Sequence, residues 1–574
     1  MTVAFRVIEV AAMLAGLIYV VLNLVALVQR VKRQWLPVLV LLMMPVSAQA
    51  TLYTVKPSGG SFTTVQGCAD TAVAGDICEV YAGTYAGWTQ SANGSSGLPI
   101  TFTAHAGDTV TLTSAAVLTN TNFITVNGFQ WSVSTDRAVF ANDGSVTTSD
   151  LTITNNIVTS VTTNGSECFY IFGDRTLLSG NECSGGGNDF AVLGGTNVVV
   201  RNNSFHDVDA SSTSQHIDFV QRIGGGTVPA LTFSLIENNT MKNCVDLTGN
   251  CHVAILRTGA SADADTIIIR YNYAQNSNGS GVTLGGAGDS ASNDTVYNNT
   301  FAEMDKTQGN QTCGSVQNAP NPSFLNNICY EVQTGGNYPF GGTAPPNGGN
   351  LVYTVGYSGS WPSPYADEST YAALSNHDPL FANYPTDGTL QSTSPAKNGG
   401  VALTTVASGD AGTGVTLKLN NSHFFQPGWA GTQGDWIRIG ANTTVQITAI
   451  NYSTNTATLA SSVIRAVGDA VYLYKNSSGS LVPIGTTSFV GAFDVQATQP
   501  APSVSGPFSG RGYMIYVEWA SLLLGLSWRF RDSALRGVLA VRVASYLVAY
   551  QTVRMAVYIM ERKVNARRRV TIWE

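Results

Sequence analysis

LTITNNIV (151–158), VVVRNNSF (198–205), SLIENNTM (234–241), IIIRYNYA (267–274), TVYNNTFA (295–302) and SFLNNICY (323–330) repeat one phrase, an apolar run that closes on asparagine. The asparagines are Asn155 and Asn156, Asn202 and Asn203, Asn238 and Asn239, Asn272, Asn298 and Asn299, and Asn326 and Asn327. After a first gap of 47 residues the steps are 26 to 36, and the long gap holds two turns if Asn181 in LLSGNECSG marks one more. A short strand followed by Asn at this period is what a coil of parallel strands requires. Each coil stacks about 4.8 Å from the last, and Asn tolerates the left-handed bend between strands. The spacing predicts an all-β solenoid with its function along a side face.

Composition agrees. Only 11% of the 574 residues are charged and 59 are glycine, which suits β-coils with polar turns and excludes helical bundles and disorder. Residues 51–500 carry 14 basic against 31 acidic side chains, whereas the two flanks are basic. An acidic body disfavours nucleic acid and anionic lipid as partners.

The flanks are also apolar. Residues 7–29 are long enough to span a bilayer, and Arg30, Lys32 and Arg33 follow them. LPVLVLLMMPVSAQA (36–50) has the short core and small-residue exit of a secretory signal. Either 7–29 is a true span, or translation starts near residue 30. At the other end, 496–512 is a Pro/Ser/Gly linker, and 513–574 holds a short apolar stretch and a basic tail, read as one membrane helix with a cytoplasmic remainder. Eight cysteines form close couples: Cys68/Cys78, Cys168/Cys183, Cys244/Cys251 and Cys313/Cys329. Even couples behind an export signal read as disulfides in an oxidising compartment, and no zinc-ligand spacing occurs.

YTVKPSGGSFTTVQGCADTAVAGDICEVYAGTY (53–85) resembles the opening of right-handed parallel β-helix proteins of the pectate-lyase-like superfamily. HDPLFANYPTDGTLQSTSPAKNGG (377–400) and PIGTTSFVGAFD (483–494) resemble that family's closing phrases. The resemblance implies a right-handed parallel β-helix over 51–404, a cap stapled by Cys68 and Cys78, and a closing strand in 479–495. Residues 405–478 break the pattern with alternating strands and Gly/Asn turns, the mark of a small inserted antiparallel barrel or sandwich. Within it, Phe425 and Trp429 either touch a sugar or fill a small core.

The chemistry-bearing residues cluster in two coils. Asn202 to Asn238 is 36 residues, and the same offset carries His216 onto His252 and sets Gln221 beside Arg257. Alternation then turns Ile217 and Phe219 inward and His216, Asp218 and His252 outward, with Asp189 one coil earlier. A His beside a carboxylate is a general acid–base pair. For β-elimination on an acidic polysaccharide, Arg257, Arg222 or a calcium ion on Asp189 and Asp218 would neutralise the uronate, and His216 or His252 would take the proton. For hydrolysis, Asp189 and Asp218 are the carboxylate pair. Gln221 and Arg222 are candidate substrate-binding residues. Asp207 and Asp209 form a candidate calcium loop, calcium being the cofactor weighed. The family's clustered calcium acids, Arg-containing motif and paired aspartates have no counterpart here, so catalysis, glycan binding without turnover and a plain polar stack stay open. The expected partner is a polysaccharide. The rivals are a non-catalytic adhesin or a viral receptor-binding spike, the latter as a homotrimer, and a rigid spacer.

Overall fold

The computed structural model describes residues 50–132, 137–141, 148–159, 167–185, 188–208, 217–222, 229–244, 251–258, 264–285, 292–304, 313–316, 321–331, 340–341, 347–353, 378–386, 388–397, 399–441, 443–482 and 491–492. The chain forms two units, Met1–Ala497 and Thr498–Glu574, and the description below falls within the first. The expected N-terminal span and signal, the linker and the C-terminal membrane segment lie outside the described residues. Among the described residues no helix is long and apolar enough to cross a membrane.

The strands fall in three parallel stacks. Each coil contributes a strand to the first, such as Val199–Arg201, then to the second, such as Ser204–His206, then to the third, such as Val220–Arg222. Successive coils pair in register: Val199, Leu235, Ile268 and Thr295 are Cα partners along the first stack, and Phe205, Met241, Ala274, Phe301 and Cys329 along the second. The period-2 pattern explains the core. Phe205, Met241, Ala274, Phe301 and Cys329 are fully buried in one continuous cluster.

The paired asparagines divide two tasks at the turn between the first and second stacks. The leading residue takes the left-handed bend: Asn155, Asn202, Asn238, Asn298 and Asn326 have φ of 54–57°, and Gly180, Tyr271 and Gly349 replace Asn there. The second residue builds a ladder. Asn156, Asn181, Asn203, Asn239, Asn272, Asn299, Asn327 and Asn350 are each at most 2% exposed. Through this series, each side-chain amide except the last donates to the next Asn Oδ1 at 2.9–3.0 Å, and that oxygen also accepts the preceding backbone N–H. The same amides reach back to carbonyls such as Ile153, Val200 and Val296. A buried amide with every group paired avoids the penalty of unmade hydrogen bonds. Asn181 thus marks the additional turn inside the first gap, as expected, and Asn350 adds another.

Disulfides join Cys68–Cys78, Cys168–Cys183 and Cys313–Cys329, with Cα separations of 6.1, 6.5 and 6.0 Å. Cys244 is also disulfide-bonded, while the side chain of its expected partner Cys251 lies outside the described ones. These bonds belong to an oxidising, extracytoplasmic setting.

The inserted segment forms a six-stranded antiparallel half-barrel: Thr404–Thr405, Gly412–Lys418, Trp436–Ile439, Thr443–Asn451, Thr456–Arg465 and Ala470–Lys475. Its apolar side closes on the outward residues Val199, Leu235, Ile268 and Tyr297 of the first stack. A buried ion network stitches the two. Arg270 donates to Asp435 at 2.7 and 2.8 Å and to Glu237 at 2.6 Å, and Glu237 accepts Ser477 Oγ at 2.6 Å. Burial alone would lower the Arg270 pKa; the two carboxylates overcome it and hold the guanidinium charged. The chain then returns to the solenoid, where Gly491 N–H donates to the Asn326 carbonyl at 2.7 Å.

One corner of the solenoid should make stability depend on pH. Asp294 is 1% exposed; its Oδ1 accepts the Ile267 N–H at 2.8 Å, and its Oδ2 has no hydrogen-bond partner. Burial, then the Asp265 charge, raises its pKa from 3.8 to about 7. The folded form therefore holds a proton that the unfolded chain releases between those two values. Stability from this group is complete below pH 3.8 and is lost as pH rises through about 7, by up to about 4 kcal/mol. Urea unfolding across this range should show that decline, and Asp294→Asn should flatten it.

Candidate functional site

The third stack carries the candidate residues. One register line along it runs Phe140, Tyr170, Val192, Gln221, Arg257, Thr283, Ser315. The coils holding Val220–Arg222 and Cys251–Thr258 are the longest on the ladder, at 36 and 33 residues from Asn203 to Asn239 and on to Asn272.

The offset of 36 expected from the sequence holds for Gln221 and Arg257, which are partners. It fails two turns of the pleat earlier: Ile217 pairs with Cys251 and Asp218 with Val253, so His252 has no opposite residue. On the other side of the same strand a second shift lies between Val253 and Leu256. Both register shifts described in the solenoid therefore fall on Cys251–Thr258. The cause is visible at Phe219, where the third-stack strand is split into Ile217–Asp218 and Val220–Arg222 and both Phe219 and Val220 enter the core.

That corner corrects part of the expected patch. Ile217, Phe219 and Phe190 are core residues as expected. Asp218 alternates with them but is 0% exposed, and Asp189 is 5% exposed with its Oδ1 accepting the Asp218 N–H at 2.7 Å. The two carboxylates pack into the protein instead of facing water. Arg222 shares the side of Val220 and is 2% exposed, so it is not an open substrate contact, whereas Gln221 is half-buried on the outer side. His216 lies outside the described residues, as do the side chains of His252 and Arg257.

Phe425 and Trp429 are core, at 0% and 6% exposed, and fill the junction between half-barrel and solenoid. Trp429 meets Phe233 of the first stack edge-on at 6.4 Å. The reason is Asp435, which accepts the Gln426 N–H at 3.0 Å and folds this segment over the Arg270 network. Asp207 is exposed, but its carboxylate accepts Asn243 Nδ2 at 2.7 Å and pairs with His206 Nδ1 at 2.8 Å. Those bonds, the Asn243 one first, hold its pKa below the usual range. Asp209 lies outside the described residues, and among the described ones no group of three or more His, Cys, Asp or Glu could hold a metal ion.

The sequence reading missed the N-terminal end of the register line. Phe140 and Tyr170 stack at 5.8 Å, and the Arg137 guanidinium lies 4.4 Å from the Tyr170 ring while paired with Glu167. Only pairing coils of unequal length could have aligned them.

No family model matches this chain, and no curated protein does either. Among solved structures it is similar to pectate lyase Pel9A (15% identity, 64% of this chain and 95% of that one, TM-score 0.37). It is also similar to XylC in complex with xylose (11% identity, 49% and 69% covered, TM-score 0.34). A rhamnogalacturonan lyase follows (12% identity, 54% and 88% covered, TM-score 0.33).

Proposed function

We propose that this is an exported protein that acts on a polysaccharide laid along the third stack, centred on His252, Gln221 and Arg257 with His216 beside them. The observation that carries this reading is the doubly shifted strand Cys251–Thr258. Bulges gather next to active sites because they re-aim a side chain and end regular pairing. The bulge falls at His252, in the longest coils of the ladder. Tethering through the apolar flanks belongs to the same proposal, and the disulfides support export.

The burial of Asp189 and Asp218 favours one chemistry over the other. Hydrolysis needs two carboxylates at the substrate, and these two pack inside, so β-elimination with a histidine base and Arg257 at the uronate carboxylate is the favoured reaction. The same burial favours binding without turnover as the second reading, in the manner of an adhesin.

The test is turnover of acidic and neutral polysaccharides by the parent and by His252→Ala, following the ultraviolet absorbance of unsaturated products and reducing ends separately. Removal of a general base should lower turnover about 100-fold or more with binding retained. Unchanged degradation by the variant removes His252 from the reaction. No degradation by the parent, with binding present, leaves the adhesin.

A further inference from the structure

The convex side of the half-barrel has a chemistry of its own. Trp436 and Arg438 project from Trp436–Ile439, alternating with the core residues Ile437 and Ile439; Tyr472 and Lys475 project from Ala470–Lys475, where Val471 and Leu473 point to the core. Trp436 is the Cα partner of Lys475, and Arg438 of Tyr472. Each cation sits over its partner's ring: Lys475 Nζ lies 4.7 Å from the Trp436 centroid, and the Arg438 guanidinium carbon 4.5 Å from that of Tyr472. All four residues, and Tyr474 with them, are half-exposed.

Charge separates this face from its surroundings. Residues 405–478 hold four basic and three acidic side chains, a net of +1, inside the 51–500 body whose net is −17. The five strands from Gly412 to Lys475 contain Lys418, Arg438, Arg465 and Lys475 but no Asp or Glu. Asp410, paired with Arg465, and Asp469 lie in the turns beside these strands, and the ring-supported cations match a ligand with flat apolar faces and carboxylates at intervals. Pyranose rings would stack on Trp436 and Tyr472, and uronate carboxylates would meet Lys475 and Arg438. A nucleic acid would face the negative field of the remaining body.

We propose that this convex face is a second, non-catalytic binding surface for an acidic polysaccharide. It is separate from the third-stack groove and does not depend on turnover there.

The experiment is affinity electrophoresis of the full-length protein in gels containing polygalacturonate or, in parallel, neutral dextran, at low and high salt. Parent protein should be retarded by polygalacturonate and released by salt, with dextran far weaker. Arg438→Gln with Lys475→Gln should weaken retardation about tenfold, and Trp436→Ala similarly. An unchanged melting temperature in the double Gln variant separates loss of binding from loss of fold. Equal retardation by dextran, retardation unaffected by the substitutions, or no retardation overturns the proposal. Turnover by the parent is assayed separately: turnover without retardation overturns this face alone, and retardation without turnover leaves it standing, so failure of the groove and failure of this face are distinguishable.

Discussion

Arg270→Met should destabilise the protein by about 3–5 kcal/mol, the range for breaking a buried ion pair and leaving its partners charged. Arg270, Glu237 and Asp435 are all 0% exposed, and the guanidinium is the cation shared by both carboxylates. Its removal strands Glu237 on the solenoid and Asp435 in the half-barrel, and takes a donor from Tyr297 as well. Urea unfolding followed by tryptophan fluorescence will read the loss, because Trp429 is buried at this junction. The triple variant Arg270→Met, Glu237→Gln, Asp435→Asn should recover part of it, since uncharged partners need no cation. If the single variant unfolds with the parent, the network does not hold the half-barrel.

Adjacent asparagines should respond unequally. Asn239→Ala removes the oxygen that accepts both Asn203 N–H and Asn203 Nδ2, and the amide that serves the Val200 carbonyl. At about 1–3 kcal/mol for each buried group left unpaired, the loss should reach about 3 kcal/mol or more. Asn238→Gly changes a residue whose work is a φ of 54°, a conformation glycine adopts freely, and should cost less than about 1 kcal/mol. Chemical denaturation of the two variants side by side tests the division of labour. Equal losses would mean that the ladder contributes no more than the bend.

The solenoid was legible because its determinants are local. The phrase ending in Asn announces both the strand and the turn, and the cysteine couples Cys68/Cys78, Cys168/Cys183 and Cys313/Cys329 are close in sequence. The half-barrel was legible from alternation. The candidate site was not, because it depends on how coils of unequal length superpose. A single offset of 36 placed Gln221 against Arg257 correctly, yet the corner at Phe219 and the extra residue at His252 altered the pairing a few positions away. Asp189, Asp218 and Arg222 are buried, which alternation along one strand does not reveal. Arg270 and Asp435, 165 residues apart, carry no signal that a periodic reading detects.

The spine of amides also fixes only one point per circuit, leaving contour length free: neighbouring rungs are 22 residues apart between Asn181 and Asn203 and 36 between Asn203 and Asn239. Residues added between 206 and 217 would therefore lengthen one circuit without dephasing the layers above and below it. Such an architecture decouples novelty from foldability. Natural variation, or an engineer, can redraw the rim of the groove while the scaffold stays in step.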